Sequence, residues 1–196
     1  MPKVLIVEDE EPVSLLLRYY DPSAGRITID GVDLREADLD AYRARLGLVL
    51  QEDFMFAGTG RANLVLGRSG IDDAALERAL AASSAASVVA RLPAGLDSEV
   101  AERGVTLSTG ERELLAIARA LAGDPALVIL DEATSSVDSA TEARIEVATR
   151  NLLRDRSALV VAHRLSTVRR ADRILVMHKG QIRESGTHER LPASTT

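Results

Sequence analysis

Cysteine is missing from this 196-residue chain, so neither a disulfide framework nor a cysteine-ligated metal centre can form. Tryptophan is missing as well, and three tyrosines and two phenylalanines are all the aromatic residues there are. Platforms on which nucleic-acid bases stack are therefore poorly supplied. Positive charge is in deficit: 24 Lys and Arg against 30 Asp and Glu leave a net charge of -6, which argues against a nucleic-acid partner. Only Lys3 and Lys179 are lysines. No apolar run reaches the ~18 residues of a membrane span. The start, Met-Pro-Lys, turns acidic at Glu8, unlike a secretory signal. Repeats and low-complexity linkers are absent. These absences predict a cytoplasmic chain that neither enters a membrane directly nor binds nucleic acid. The hydrophobic content, 46%, suffices for one domain, or one core with an inserted subdomain.

The most informative stretch runs from Leu107 to Asp138. Ser108 and Glu111 have S-x-x-E spacing, which predicts a helix starting just after Ser108. Leu114, Ile117, Ala118 and Leu121 fall on one face of that helix. Gly123, Asp124 and Pro125 stop it. Ala126 to Leu130 is a short apolar run suited to a strand buried on both faces. It delivers Asp131 and Glu132 to the C-terminal end of that strand, where open α/β sheets bind ligands. Taken alone, the two acids fit a solvated turn equally well.

In order and spacing, LSTGE (Leu107 to Glu111), LVILDE (Leu127 to Glu132) and SSVD (Ser135 to Asp138) resemble the signature motif, Walker B strand and D-loop of the ATP-binding cassette family. The resemblance implies an α/β fold, a mainly parallel sheet with helices on both faces and an inserted helical subdomain. It implies Asp131 as a Mg²⁺ ligand and Glu132 as general base. Ser108, Thr109, Gly110, Glu111 and Asp138 would face nucleotide, with Ser108 and Gly110 on a γ-phosphate held by a partner. ATP and Mg²⁺ would be the cofactors, a head-to-tail second cassette and a transmembrane transporter subunit the partners.

The resemblance extends along the chain. Leu15 to Glu36 carries a turn after Asp21-Pro22, a strand over Gly25 to Asp30 and a tight Asp30-Gly31 turn. A short helix ends over Tyr42 to Leu46, and a strand from Gly47 to Leu50 leads to Gln51. LVLQEDFMF is similar to the family's Q-loop, which implies Gln51 on Mg²⁺ and the attacking water, and the following residues facing a membrane partner. A lone Gln after a strand otherwise reads as a surface residue. Asp72 to Leu92 is Ala-rich and helical, within a subdomain predicted over 69–106. SEVAERG (Ser98 to Gly104) resembles an exporter-type segment, with Ala101 where the family has Gly, as Thr109 departs from a common Gly in the signature. Ile145, Ala148 and Leu152 mark a later helix. Ala158 to Ala162 is a strand that delivers His163, which AHRLSTV identifies with the family's switch histidine and thus a γ-phosphate contact. Arg173 to His178 and Gln181 to Glu184 read as a closing strand pair, and GTHERL (Gly186 to Leu191) as the family's closing turn.

The first twenty residues depart from the pattern. Lys3 to Val7 is a β-rich run, and Val13, Leu16, Leu17 and Tyr20 lie on one helical face. Between them stands EDEEP, where a cassette ATPase carries G-x-x-x-x-G-K-[ST], the loop whose amides and lysine cradle phosphate. The first glycine is Gly25, and neither lysine sits in a glycine loop. The strands that precede this loop in the family, with their adenine-stacking aromatic, are expected to be absent. MPKVLIVEDEEP resembles the opening of response-regulator receiver domains, where acids after the first strand hold Mg²⁺. Glu8 and Asp9 are thus candidate ligands beside Asp131, although acids at a helix start also suit the helix dipole. Four carboxylates where phosphate should sit are adverse: each like-charge contact at ~4 Å costs about 1 kcal/mol in water and ~4 at an effective dielectric near 20. The expected molecule is a single domain over 1–196, a chimera with a receiver-like βα unit over 1–20 and impaired ATP binding and hydrolysis. A non-catalytic scaffold and a receiver-like Mg²⁺-binding module are the competing readings.

Overall fold

The computed structural model describes residues 3–7, 11–51, 54–131, 137–161, 165–178 and 181–191. The elements are β1 (Lys3–Val7), α1 (Glu11–Leu16), β2 (Thr28–Ile29), β3 (Val32–Asp33), α2 (Leu39–Ala44), β4 (Leu46–Val49), β5 (Gly58–Thr59), α3 (Gly60–Val65), α4 (Asp73–Ala82) and α5 (Ala86–Val89). They continue with β6 (Glu99–Val100), α6 (Thr109–Ala122), β7 (Leu127–Asp131), α7 (Ser139–Leu153), β8 (Ser157–Val161), α8 (Leu165–Val168), β9 (Arg173–His178) and β10 (Gln181–Gly186).

A six-stranded sheet in the order β10-β9-β1-β8-β7-β4 forms the centre. Its pairings are parallel except for β10, which runs antiparallel on β9 at one edge. Strand alternation divides the apolar side chains between two faces. Val49, Val128, Leu130, Ala158, Val160 and Ile174 join the larger core with α4, α6 and α7. Leu46 and Ile129 join Val13 and Leu17 in a smaller one, with Leu48, Leu127, Val161 and Tyr42 packed on it. Both faces are covered, which is why Leu127 to Leu130 of β7 and Ala158 to Val161 of β8 are continuous apolar runs rather than alternating with polar residues.

Helix α6 is buried nearly all round. Leu114, Leu115, Ala116, Ile117, Ala118 and Ala120 are all below 9% exposed, a wider set than the single apolar face read from the sequence. It lies against β4, α3, α4 and α7.

Three expectations change. The first helix is shorter than expected: α1 ends at Leu16, Arg18 turns left-handed at φ 52°, and Tyr20 is exposed rather than packed with Val13 and Leu17. From α2, the Tyr42 hydroxyl and the Arg43 guanidinium donate to the carbonyls of Leu16 and Leu17 and so cap that end. The strand expected over Gly25 to Asp30 shrinks to Thr28–Ile29, paired with β3 across the Asp30-Gly31 turn. Both turn residues have positive φ, 49° and 85°, as a two-residue hairpin requires and as glycine accepts without strain. The helical run from Asp72 breaks after Ala82, where Ser84 is left-handed at φ 59° and the buried Ser83 hydroxyl donates to Leu80 O and accepts from Ala85 N. A pair invisible in the sequence, β5 with β6, ties Gly58–Thr59 to Glu99–Val100.

Candidate functional site

Parallel strands bring their C-terminal ends to one edge, where the candidate side chains collect. Val49 of β4 pairs with Leu130 of β7, so Gln51 and Asp131 stand at neighbouring strand ends. Gln51 is exposed and Asp131 half-buried. Asp131 alternates with Leu127 and Ile129, which places it on the α1 side of the sheet. On β8, Val161 pairs with Asp131 on one side and Ile6 of β1 on the other. The ends of β1 and β7 are therefore two strand spacings apart, about 10 Å. Glu8, Asp9, Glu132 and His163 lie outside the described residues.

The LSTGE segment is built at the start of α6, on the opposite face of the sheet from Asp131. Ser108 is the N-cap: its Oγ accepts from Glu111 N at 3.3 Å, and Glu111 Oε2 accepts from Ser108 N at 2.8 Å. This reciprocal box satisfies two amides that the helix start would leave open. Thr109 is exposed and takes a hydrogen bond from Arg112 Nη2 at 3.1 Å. Gly110 is buried, and Asp138, at the N-cap of α7, accepts from Ala140 N and Thr141 N at 3.1 and 3.0 Å.

Arg91, just past α5, carries no motif signal, yet its guanidinium pairs with Glu111 Oε1. Burial would raise the Glu111 pKa, but the hydrogen bonds from Ser108 and the Arg91 charge outweigh it and hold the carboxyl below its ordinary range. A pKa lowered by folding means that the contribution is full above the unfolded value, near 4.3, and is lost as pH falls through the folded one. Acidification into that window should therefore open the first turn of α6. Arg91→Ala should move the Glu111 titration up toward the ordinary glutamate value, read by carboxyl NMR. An unmoved titration would show that Ser108 alone sets it.

The segment after Gln51 is held from behind. Asn63 of α3 is buried; its Oδ1 accepts from Phe56 N at 2.8 Å and its Nδ2 donates to Phe56 O and Thr59 O. Arg119 of α6 donates to Phe54 O at 3.0 Å and Asn63 O at 2.8 Å. Phe54 and Phe56 are thereby presented on the surface as an edge-to-face pair, centroids 4.9 Å apart. Neither Asn63 nor Arg119 was visible as functional in the sequence, since each acts through partners distant along the chain.

Oxygen donors at the ends of β4 and β7 suit a hard divalent cation. Among the described residues no cluster of three His, Asp or Glu stands ready to hold a metal, and no helix is long and apolar enough to cross a membrane.

A family model described as ABC transporter matches residues 13–135. Among curated proteins, the uncharacterized ABC transporter ATP-binding protein YknV of Bacillus subtilis (strain 168) is 43% identical over 180 residues, which are 92% of this chain and 30% of that protein. An ATP-dependent lipid A-core flippase of Chromohalobacter salexigens is 46% identical over 181 residues, 92% of this chain and 31% of its own length. A solved bacterial Atm1-family ABC exporter with ATP bound superposes with a TM-score of 0.84 at 38% identity, covering 96% of this chain and 34% of the exporter chain. The chain thus spans about a third of the length of these relatives.

Proposed function

This chain belongs to the ABC transporter family, and from that premise we propose that it is an exporter-type ATP-binding domain whose own phosphate site has been replaced while its partner-facing half is kept. The observation that carries the proposal is the contrast between two helix starts. At α6 a complete capping box orders Ser108 to Glu111. At α1 the stretch EDEEP stands in place of the glycine loop. An anion is favoured at the first by open amides and the helix dipole, and opposed at the second by carboxylates.

The roles follow the resemblance. Glu132 is the general base, Asp131 and Gln51 the Mg²⁺ ligands, and His163 the γ-phosphate contact. All four wait for a phosphate that the chain itself does not position. A general base cannot act on a group that is not held in place. By the resemblance, a nucleotide touching both kinds of residue lies between two chains. A homodimer would set two LSTGE turns against two acidic stretches. Pairing with a cassette that has an intact glycine loop would complete one composite site. The exposed Phe54–Phe56 pair is the surface we assign to a transmembrane partner. A receiver-type origin of residues 1–20 supports the same reading, since the graft swaps one strand–helix unit for another.

Size-exclusion chromatography with ATP and Mg²⁺ tests this. The chain alone should stay at its nucleotide-free size. Mixed with an exporter-type cassette whose hydrolysis is blocked, it should form a complex that Ser108→Arg abolishes. Self-association of the single chain driven by ATP would overturn the reading.

A further inference from the structure

Gly110 carries a constraint that phosphate contact does not require. A methyl placed on its Cα would lie 2.2 Å from Thr141 Cγ2 and 3.4 Å from Val137 Cγ1. The N-terminal turns of α6 and α7 thus meet here with no room for a side chain. A flexible neighbour would swing aside, but Thr141 is β-branched, with few rotamers to choose from. Its backbone N–H donates to Asp138 Oδ1 at 3.0 Å. Asp138 Oδ1 accepts from Ala140 N as well, at 3.1 Å, which fixes the first turn of α7 beside Gly110.

The remainder of α7 is fastened along the same side. Ile145, Ala148 and Leu152 are fully buried in the larger core. Arg144 Nη2 donates to Ser84 O and Ser87 Oγ, each at 2.7 Å, and Asn151 Nδ2 to Ala82 O at 2.8 Å, gripping the turn between α4 and α5. A displacement of Asp138 has no slack to absorb it before it reaches the start of α6.

We propose that Thr141 is a positioning residue that links Asp138 to Gly110 within one chain, its backbone amide held by the aspartate and its methyl seated on the glycine, so that the N-terminal turns of α7 and α6 move as one body. Serine at this position keeps the amide and lacks the methyl; valine keeps both. The functional meaning rests on the reading of these segments as nucleotide-facing. The link itself does not, and it is tested on the chain alone without nucleotide.

Two measurements decide it. In thermal unfolding, Gly110→Ala should lower the midpoint by several degrees, and adding Thr141→Ser should recover at least about half of that loss, a coupling expected only of groups in contact. A double variant no more stable than Gly110→Ala would overturn the link. The second uses variants that leave Gly110 intact, so it stands even where Gly110→Ala fails to fold. Asp138→Asn should shift the Gly110 amide cross-peak in the wild-type background. In Thr141→Ser the same change should shift it less than half as far, and in Thr141→Val, which keeps the methyl, about as far as in the wild type. A shift in Thr141→Ser equal to that in the wild type would show that Asp138 reaches Gly110 without the Thr141 methyl. Failure of the mixed-cassette complex, with both results intact, would sink the functional reading and leave the link standing.

Discussion

Replacing Asn63 by alanine should destabilise the chain by about 3 kcal/mol, because it strands buried backbone groups rather than because it empties space. The residue is 3% exposed and its side chain makes four hydrogen bonds, one from Arg119 Nη2 and three with backbone groups: it accepts from Phe56 N and donates to Phe56 O and Thr59 O. Leaving a buried donor or acceptor without a partner costs about 1–3 kcal/mol, and three such groups lose theirs together. Phe56 is half-exposed, so water recovers part of the loss, which keeps the sum near the lower end. For a domain of this size ~3 kcal/mol corresponds to a midpoint about 6–12 °C lower. Asn63→Asp is the sharper comparison: it keeps an acceptor for Phe56 N but points a charge at two carbonyls, so it should be no better than alanine. Urea unfolding of the three proteins measures this. A loss below ~0.5 kcal/mol for Asn63→Ala, the range of ordinary surface changes, would mean that the loop holds itself. The loop that Asn63 and Arg119 secure is the one presenting Phe54 and Phe56, the surface proposed to meet a transmembrane partner.

How much of this was legible beforehand depended on whether the information was local. The box of Ser108 and Glu111 is a four-residue pattern with a backbone reason, so the start of α6 could be placed to the residue. The apolar run before Asp131 is local too, and it located β7. Strand neighbours are different. Nothing in KVLIV or SALVV says that β8 inserts between β1 and β7, because parallel strands carry no turn to set their partner. Helix ends were misjudged where a single left-handed residue, Arg18 or Ser84, did what glycine or proline usually announces. At the site, the family pattern named Glu111 and Gly110 as nucleotide-facing. It was silent on Arg91 and Thr141, whose hold on those residues comes from other parts of the fold. Asn63 lies in a stretch with no pattern at all, and only its buried surroundings reveal it.

Restoring a glycine loop between Val7 and Val13 should bring the largest change of any alteration to this chain. In the sequence the acids Glu8 to Glu11 stand between Val7 and Pro12, where the proposed reading puts the replaced loop. A G-x-x-x-x-G-K-[ST] segment adds a ring of amide donors and a lysine, and it also adds the length that lets the backbone curl around phosphate. The flanking frame is already suited to it. β1 lies in the middle of the parallel sheet, and Val13 and Leu17 anchor the end of α1 against Leu46 and Ile129. The unaltered chain should bind ATP-Mg²⁺ no more tightly than about 1 mM, a free energy near 4 kcal/mol. The grafted one should bind at least about 100-fold more tightly, a gain of ~2.7 kcal/mol that a lysine and several amides readily supply. Calorimetry with and without Mg²⁺ reads both. Once phosphate is held, the general base has something to act on, so turnover should appear and Glu132→Gln should lower it by about 10²–10⁴-fold. Tight binding by the unaltered chain would show that the acids recruit the nucleotide through Mg²⁺ instead of repelling it. A graft that binds ATP but never turns it over, even beside an intact partner, would place the defect beyond the phosphate loop, in the segments from Asp131 to Asp138.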